Sequence, residues 1–439
     1  MLSEACEPVQ PTRRARLGLL TCLILAVTLR GAVLWLHADD LSRDRDAYLG
    51  IAQSLAVGGG FVDVQRRTPS AFRPPLYPLL LAGAMLVLPA VAAVAAINLI
   101  WGMVTVWGTW RAGLHLGLGW QSSLAALLVA VDPILLQYSA QPMTEVTCAG
   151  LVALLVYWIV RRDCSEAVRQ FGVGALFGAL VLCRPTFWPF AGLVVVGWLV
   201  DRLRTSSGSM IPWRVILGTF LVFSPWVVRN QLVIGSPIVM TTHGGYTLLL
   251  ANNPVFYSEV VDRGFGSEWA KPSFDHWTDE LLADMASQLG PDSSELDRDR
   301  WQSLRARQYI AAEPGRFLRA VWYRVRSLWS TTPQGEAAAA ANSRLVQCVG
   351  WYYTVVLVAF VIGLLKVAIK LGSSSHPPGI GSWWPLLALV LTVQAVHLVY
   401  WTNARMRAPL VPVISLLAVW PLNRRSQVAQ PESLTVPAP

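Results

Sequence analysis

LGLLTCLILAVTLRGAVLWL at residues 17–36, running directly into HADDLSRDRDAY at 37–48, decides the fold class. An apolar stretch of this length, preceded by Arg13, Arg14 and Arg16, matches the roughly 20 residues an α-helix needs to cross a bilayer. The rest of the chain repeats the pattern. Of its 439 residues 54% are hydrophobic and only 14% charged, a composition that excludes a water-soluble globule. Further apolar runs lie near 91–110, 121–139, 145–160, 170–183, 186–200, 213–228, 346–365, 383–402 and 408–421. An all-α polytopic membrane protein with about ten crossings is predicted, the runs at 170–183 and 408–421 being short for a span. The RRAR start before an apolar run also has the outline of a cleaved signal peptide. The run continues past Arg30 to Leu36 without a small-x-small cleavage site, which favours a retained helix.

Basic residues in short connections orient the chain, because they resist translocation. With the N-terminus inside, Arg111, Arg161 and Arg162, Arg202 and Arg204, Lys366 and Lys370, and Arg424 and Arg425 all fall on the same side. The alternation holds only if 76–88 does not cross; that run is too short for a span, begins among prolines, and reads as an interfacial or re-entrant helix. The resulting map has a cytoplasmic tail (1–16), a first crossing (17–36), a first outer loop (37–90) and a block of crossings (91–228). A large outer loop (229–345), C-terminal crossings (346–421) and a disordered cytoplasmic tail (422–439) complete it. In the large loop, 237–254 reads as extended and turn-rich, whereas 297–312 and 314–329 have helical spacing. The second of these has Leu318, Trp322, Val325 and Trp329 on one face and Arg316, Arg319, Tyr323 and Arg326 on another, as suits a helix lying along the outer membrane surface.

The six cysteines form no CxxC pair and none lies in an outer loop, so neither a disulfide framework nor a zinc site is implied. The net charge of +9 belongs mostly to arginines at the cytoplasmic membrane face, which anionic lipid accounts for without nucleic acid. Phosphate-binding and hydrolase signatures of soluble enzymes are absent; GVGALFG at 172–178 sits in an apolar helix, where small residues serve close helix packing. Arg30 lies more than a turn inside the first span, at a cost of about 2.5 kcal/mol or more, and is expected to face the bundle interior, with Asp132 as a possible partner.

Chemistry is expected where ionisable residues collect at the outer face. Asp44, Arg73, Glu145, Arg184, Arg229, Arg405 and Arg407 all arrive there by the topology above. Each arginine alone is explained by snorkelling to headgroups. As a set they present fixed positive charge and bidentate donors suited to phosphate, beside carboxylates able to accept a proton from an attacking hydroxyl. A transporter for a lipid-linked sugar would need similar groups, but also inverted repeats and charges near the bilayer centre, whereas here they gather at one face.

In order and placement, several motifs resemble the integral-membrane GT-C glycosyltransferases. They are D-x-x-x-Y at Asp44 and Tyr48, A-x-x-L at 52–55, GGGF at 58–61, RPPLYP at 73–78, MTE at 143–145, LCRP at 182–185, GGYTLLLANNP at 244–254 and R-x-R-x-P at 405–409. The nearest likeness is to the bacterial branch related to protein O-mannosyltransferases, aminoarabinose lipid A transferases and galacturonosyl transferases of lipopolysaccharide cores. The resemblance implies an inverting transferase in the cytoplasmic membrane that takes a sugar from a polyprenyl-monophosphate carrier. It would pass the sugar to an extracytoplasmic acceptor, whether envelope glycan, lipid or protein. It implies Asp44 as general base, with Asp46 the neighbouring alternative if the register differs. It also implies Arg73 on the donor phosphate, Glu145 orienting acceptor or base, and Arg405 and Arg407 on the leaving phosphate; Tyr48, Tyr77 and Arg184 complete the expected substrate-binding set. The adjacent Asp-Glu pair usual in the mannosyltransferase branch is replaced here by Asp44-Arg45, which argues against protein mannosylation. No cofactor beyond the lipid-linked donor and no metal is implied, because Asp44 and Glu145 make a poor ligand set and the six histidines lack ligand spacing. Neither the acceptor's identity nor the oligomeric state has a signature in the sequence.

Overall fold

A computed structural model describes residues 10–205, 212–267, 269–290, 293–334, 342–372 and 383–422. Residues 1–9 of the expected N-terminal tail and 423–439 of the expected C-terminal tail, including Arg424 and Arg425, lie outside the described residues. The described chain is helical throughout, with one isolated two-residue bridge between Val62 and Pro69.

Helix α1 (Arg13–Leu36) opens with Thr12, whose hydroxyl accepts the Ala15 amide, so the helix starts one turn before the expected crossing and takes Arg13, Arg14 and Arg16 into its first turn. Next come α2 (Tyr48–Ala56) and α3 (Leu76–Met85), then α4 (Ala90–His115), α5 (Ser122–Ala130) and α6 (Pro133–Gln137). The expected crossing at 121–139 is a bent pair, broken by 50° at Asp132–Pro133. Pro133 cannot donate to the preceding turn, and the Asp132 carboxylate restarts the helix by accepting the Leu135 amide. The core continues with α7 (Glu145–Val160), α8 (Glu166–Cys183), α9 (Trp188–Thr205) and α10 (Trp213–Ile234). Helix α10 ends at Gly235, whose φ of 81° is the left-handed C-terminal cap that glycine adopts without strain.

Among the described residues, six helices are long and apolar enough to cross a membrane, and the bent pair makes a seventh candidate. The expected ten includes α7, α9 and a later helix at 384–396, all shorter. Helix α7 tolerates its shortness because it is buried on nearly every face between α4, α8 and the C-terminal segment, so lipid never meets its ends. Helix α3, at ten residues, is too short to span.

The segment from 235 to 334 departs in part from its sequence reading. The 237–254 stretch is not wholly extended: Gly244–Leu250 forms a helix, α11, followed by one turn, α12 (Pro254–Phe256). A helix not anticipated, α13 (Lys271–Leu289), precedes the two expected ones, α14 (Glu295–Ala312) and α15 (Pro314–Leu328). Helix α14 starts with a capping box between Ser294 and Asp297, a three-residue spacing present in the sequence. Helices α16 (Ser343–Gly372), α17 (Trp384–Val396) and α18 (Val411–Val419) close the bundle.

Close packing fixes the helix positions. A Cβ on Gly174 of α8 would run into the Val215 carbonyl of α10, and one on Gly218 of α10 into the Phe171 carbonyl of α8. Arg30 is fully buried and faces the interior as expected, but donates to the Ala130 carbonyl (3.3 Å), while Asp132 accepts from the Leu135 amide and the Tyr353 hydroxyl. The two ends of the bundle differ. At one, Arg111 and Arg161 converge on Asp163 (3.0 and 2.7 Å), and Arg14 lies over Trp120 (4.1 Å). At the other lie the C-termini of α1, α8 and α10, the N-terminus of α7 and the whole of 235–334.

Candidate active site

The second end carries a chain of alternating charge assembled from five separate stretches of the chain. The loop after α1 contributes Asp46. Its carboxylate pairs with Arg73 (3.2 Å), held just before Pro74, and with Arg405 (3.8 Å) from the turn before α18. Arg405 also reaches Glu145 (3.2 Å), the first residue of α7, and Glu145 accepts at 2.5 Å from Arg184, the residue that ends α8. Arg184 donates further to the Thr144 hydroxyl (2.9 Å). Glu145 is wholly buried, and its Oε2 has no hydrogen-bond partner among the described residues. Two carboxylates against three guanidinium groups leave one net positive charge, carried by groups that are only partly exposed.

Aromatic rings floor the cluster. Arg73 lies over Tyr48 (5.6 Å) and Phe72 (5.1 Å), and Tyr48 packs edge-on against Tyr77 (5.7 Å). The Tyr77 hydroxyl donates to Asn98, whose amide in turn ties down the Ser139 and Gln141 carbonyls four and two residues before Met143. Burial pushes the Tyr48 hydroxyl up to about 12, so it stays neutral near Arg73.

Asp44 has a different setting from Asp46. Its two oxygens accept the Leu49 and Gly50 amides (3.0 and 2.7 Å) in the first turn of α2. Between the two aspartates and Tyr48, Ala47 adopts φ 61°, a left-handed conformation unusual for alanine, and the chain turns there into the helix. The amides fix the orientation of the Asp44 carboxylate and occupy two of its about four lone-pair positions.

Of the residues expected at the site, Arg73, Glu145, Arg184, Arg405, Tyr48 and Tyr77 come together. Arg407 does not join them. It is 1% exposed, donates to the Leu328 and Ser330 carbonyls (2.9 and 2.5 Å) and lies over Tyr353 (4.2 Å), thereby binding the end of α15 to the bundle. Arg229 donates to the Phe61 and Ser70 carbonyls (2.6 and 2.7 Å) and shapes the first loop instead of facing the cluster. Residues not singled out by sequence also belong here. Arg73 donates to His243 Nε2 (3.1 Å), and Glu295 accepts from the Ala71 amide and Thr242 hydroxyl (3.0 Å each), fastening the two loops that carry Arg73 and His243. The HGGY sequence was visible, but nothing in its spacing connects it with a position 170 residues earlier. Among the described residues, no three His, Cys, Asp or Glu side chains group as a metal-ligand set.

Arg184 and Arg405 on the buried Glu145, with Arg73 and Arg405 on Asp46 and the Tyr48 and Phe72 rings beside them, form a setting suited to an anionic group. No protein-family model matches the sequence, and no curated protein matches it. Solved structures match in shape. An oligosaccharyltransferase from Archaeoglobus fulgidus in the apo form superposes with TM-score 0.52 at 15% identity, over 92% of this chain and 50% of its own. The oligosaccharyltransferase AglB from the same organism, in complex with an inhibitory peptide and a dolichol-phosphate, gives 0.50 at 14% identity with the same coverage. ArnT from Cupriavidus metallidurans bound to undecaprenyl phosphate gives 0.43 at 12% identity, over 90% of this chain and 76% of its own. At such identities the likeness is one of fold, and the chain spans about half the length of the archaeal structures.

Proposed function

The chain has the fold of the GT-C glycosyltransferases, and we propose that it transfers a sugar from a polyprenyl-monophosphate carrier to an acceptor on the extracytoplasmic side of the cytoplasmic membrane. The observation that carries this reading is the convergence of Arg73, Arg184 and Arg405 around Asp46 and Glu145 at one end of the bundle. Positive charge in excess by one, partly shielded from water, matches the phosphate of a lipid-linked donor. The archaeal structure that holds a dolichol-phosphate lends the same reading support at the level of fold.

In the proposed reaction an acceptor hydroxyl oxygen attacks the anomeric carbon from the face opposite the phosphate. The new C–O bond forms as the bond from the anomeric carbon to the phosphate oxygen breaks. The electron pair leaves on the polyprenyl phosphate, and the acceptor's proton passes to Asp44. Arg73 and Arg405 stabilise the charge growing on the phosphate, an effect worth about 3 kcal/mol per donor of this kind. Asp46 holds these two arginines in place before the donor arrives. Arg184 and Arg405 pair with the buried Glu145, which holds both arginines in place.

Mass spectrometry of lipid-linked sugars and envelope glycans from cells lacking the protein tests this reading. Accumulation of one polyprenyl-phosphate sugar, with loss of one glycan residue, is expected; wild type should repair both and Asp44→Asn neither, its rate falling about 10²- to 10⁴-fold. Unchanged lipid-linked sugars and glycans would remove the transferase reading. Full repair by Asp44→Asn together with failure of Asp46→Asn would move the base to Asp46.

A further inference from the structure

His243 is the unabsorbed group most tightly bound to the cluster. Its ring packs edge-on against Phe72 (4.4 Å) and stacks on Tyr246 (5.4 Å), and its Nε2 faces Arg73 Nη1 at 3.1 Å. A guanidinium only donates, so Nε2 must be the acceptor and the neutral ring must carry its proton on Nδ1. That Nδ1 is buried and has no hydrogen-bond partner among the described residues. The fold therefore leaves one buried donor unsatisfied while turning the lone pair of the other nitrogen to Arg73, which is costly unless that contact is what the position serves.

The loop bearing His243 is clamped on both sides. On one side the Thr242 amide donates to the Ala71 carbonyl (3.1 Å), while Glu295 takes the Ala71 amide and Thr242 hydroxyl. On the other, the Gly245 amide donates to Asp299 (2.6 Å), and a Cβ at Gly245 would run into the Asp299 backbone carbonyl. The first turn of α14 thus registers His243 against the Phe72–Arg73 strip to within a hydrogen bond. The charged and titratable groups around the ring are Arg73 and, beyond it, Asp46 from the first loop, Tyr246 from α11, and Glu295 and Asp299 from α14.

We propose that His243 is a positioning residue: as a neutral acceptor it aims the Arg73 guanidinium at the donor phosphate, coupling the 235–334 segment to the donor site, and its protonation releases Arg73. An imidazolium in this place has no lone pair for Arg73 and repels it. Burial first, and the Arg73 charge second, hold the basicity of His243 well below its ordinary value. The folded state is therefore unpenalised above the ordinary imidazole value of about 6.5 and loses stability as pH falls below it, whereas Arg73 stays aligned until the folded ring itself protonates, at a pH well below that value. The functional half of this inference rests on the phosphate reading above, whereas the mechanical half does not.

The test uses the full chain in detergent, with undecaprenyl monophosphate as probe, in wild type, His243→Gln and His243→Ala. Affinity and thermal unfolding are followed from about pH 8 to about pH 5, the window in which an imidazole titrates. Glutamine keeps an acceptor oxygen for Arg73 and cannot be protonated there; because the probe's own phosphate titrates in this range, the comparison of interest is wild type against this variant. Wild type and His243→Gln should bind in parallel across this window, because the folded ring stays neutral there, and His243→Ala should bind about tenfold more weakly throughout, the size of one charge-assisted hydrogen bond. Wild-type affinity in His243→Ala, or binding by His243→Gln as weak as by His243→Ala, would overturn the positioning role. If no form binds the lipid phosphate at any pH, the phosphate reading fails, and thermal unfolding decides the latch alone. A steeper acid loss of melting temperature in wild type than in His243→Gln supports it, and equal slopes refute it.

Discussion

Arg405 and Arg407 stand two residues apart in one motif and have opposite destinations. In the tight helical turn of 404–410, residues at that spacing face different sides, so both cannot reach one phosphate. Arg405 joins Asp46 and Glu145, while Arg407 is sealed under Tyr353 with the carbonyls at the end of α15. Arg405→Ala is accordingly expected to cost about 10²-fold in transfer with little change in melting temperature, since Arg184 still neutralises Glu145. Arg407→Ala should instead lower stability by about 2 kcal/mol, because two buried carbonyls lose a charged donor. Thermal melting in detergent beside a transfer assay separates the two; equal effects on both readouts would contradict this division. The aspartates divide in the same way, Asp44 on the amides of α2 and Asp46 on the arginines. Sequence presents each pair as near-equivalents, and only the direction of each side chain distinguishes them.

Among the elements, the helices set by strong apolar runs and caps were legible in advance, including α1, α4, α14 and α15. One departure has a tertiary cause. Gly244–Leu250 reads as a turn because of its paired glycines, yet the Asp299 carboxylate accepts the Gly245 amide at a helix start, and tertiary contact overrides local propensity. The small-residue run at 172–178 was read as a packing surface, and α8 does meet α10 there with backbone almost in contact. Gly174→Val is therefore expected to destabilise by about 1 to 3 kcal/mol through overpacking, seen as a lower melting temperature in detergent. Gly192, with nothing near its absent Cβ, is the control at which valine should be tolerated.

For the whole molecule, the alternation of crossings places 235–334 and the charge cluster at one end and the Arg111–Asp163–Arg161 cluster at the other. With other cysteines replaced, a membrane-impermeant maleimide applied to spheroplasts should label Ser258→Cys, exposed in the large segment, and spare Glu166→Cys until the membrane is opened. The reverse pattern would invert the topology and move the site to the cytoplasm. Sequence by itself determined the membrane class, the order of most crossings and the motif-bearing loops, because hydrophobic length and basic flanks are local quantities that the bilayer reads directly. Tertiary structure alone decided which charges share a site. Asp46, Arg73, His243 and Arg405 meet across more than three hundred residues of chain, and no local periodicity records that contact. It exists because the packed helices bring their loop ends to one place, where a buried charge is stable only beside its opposite.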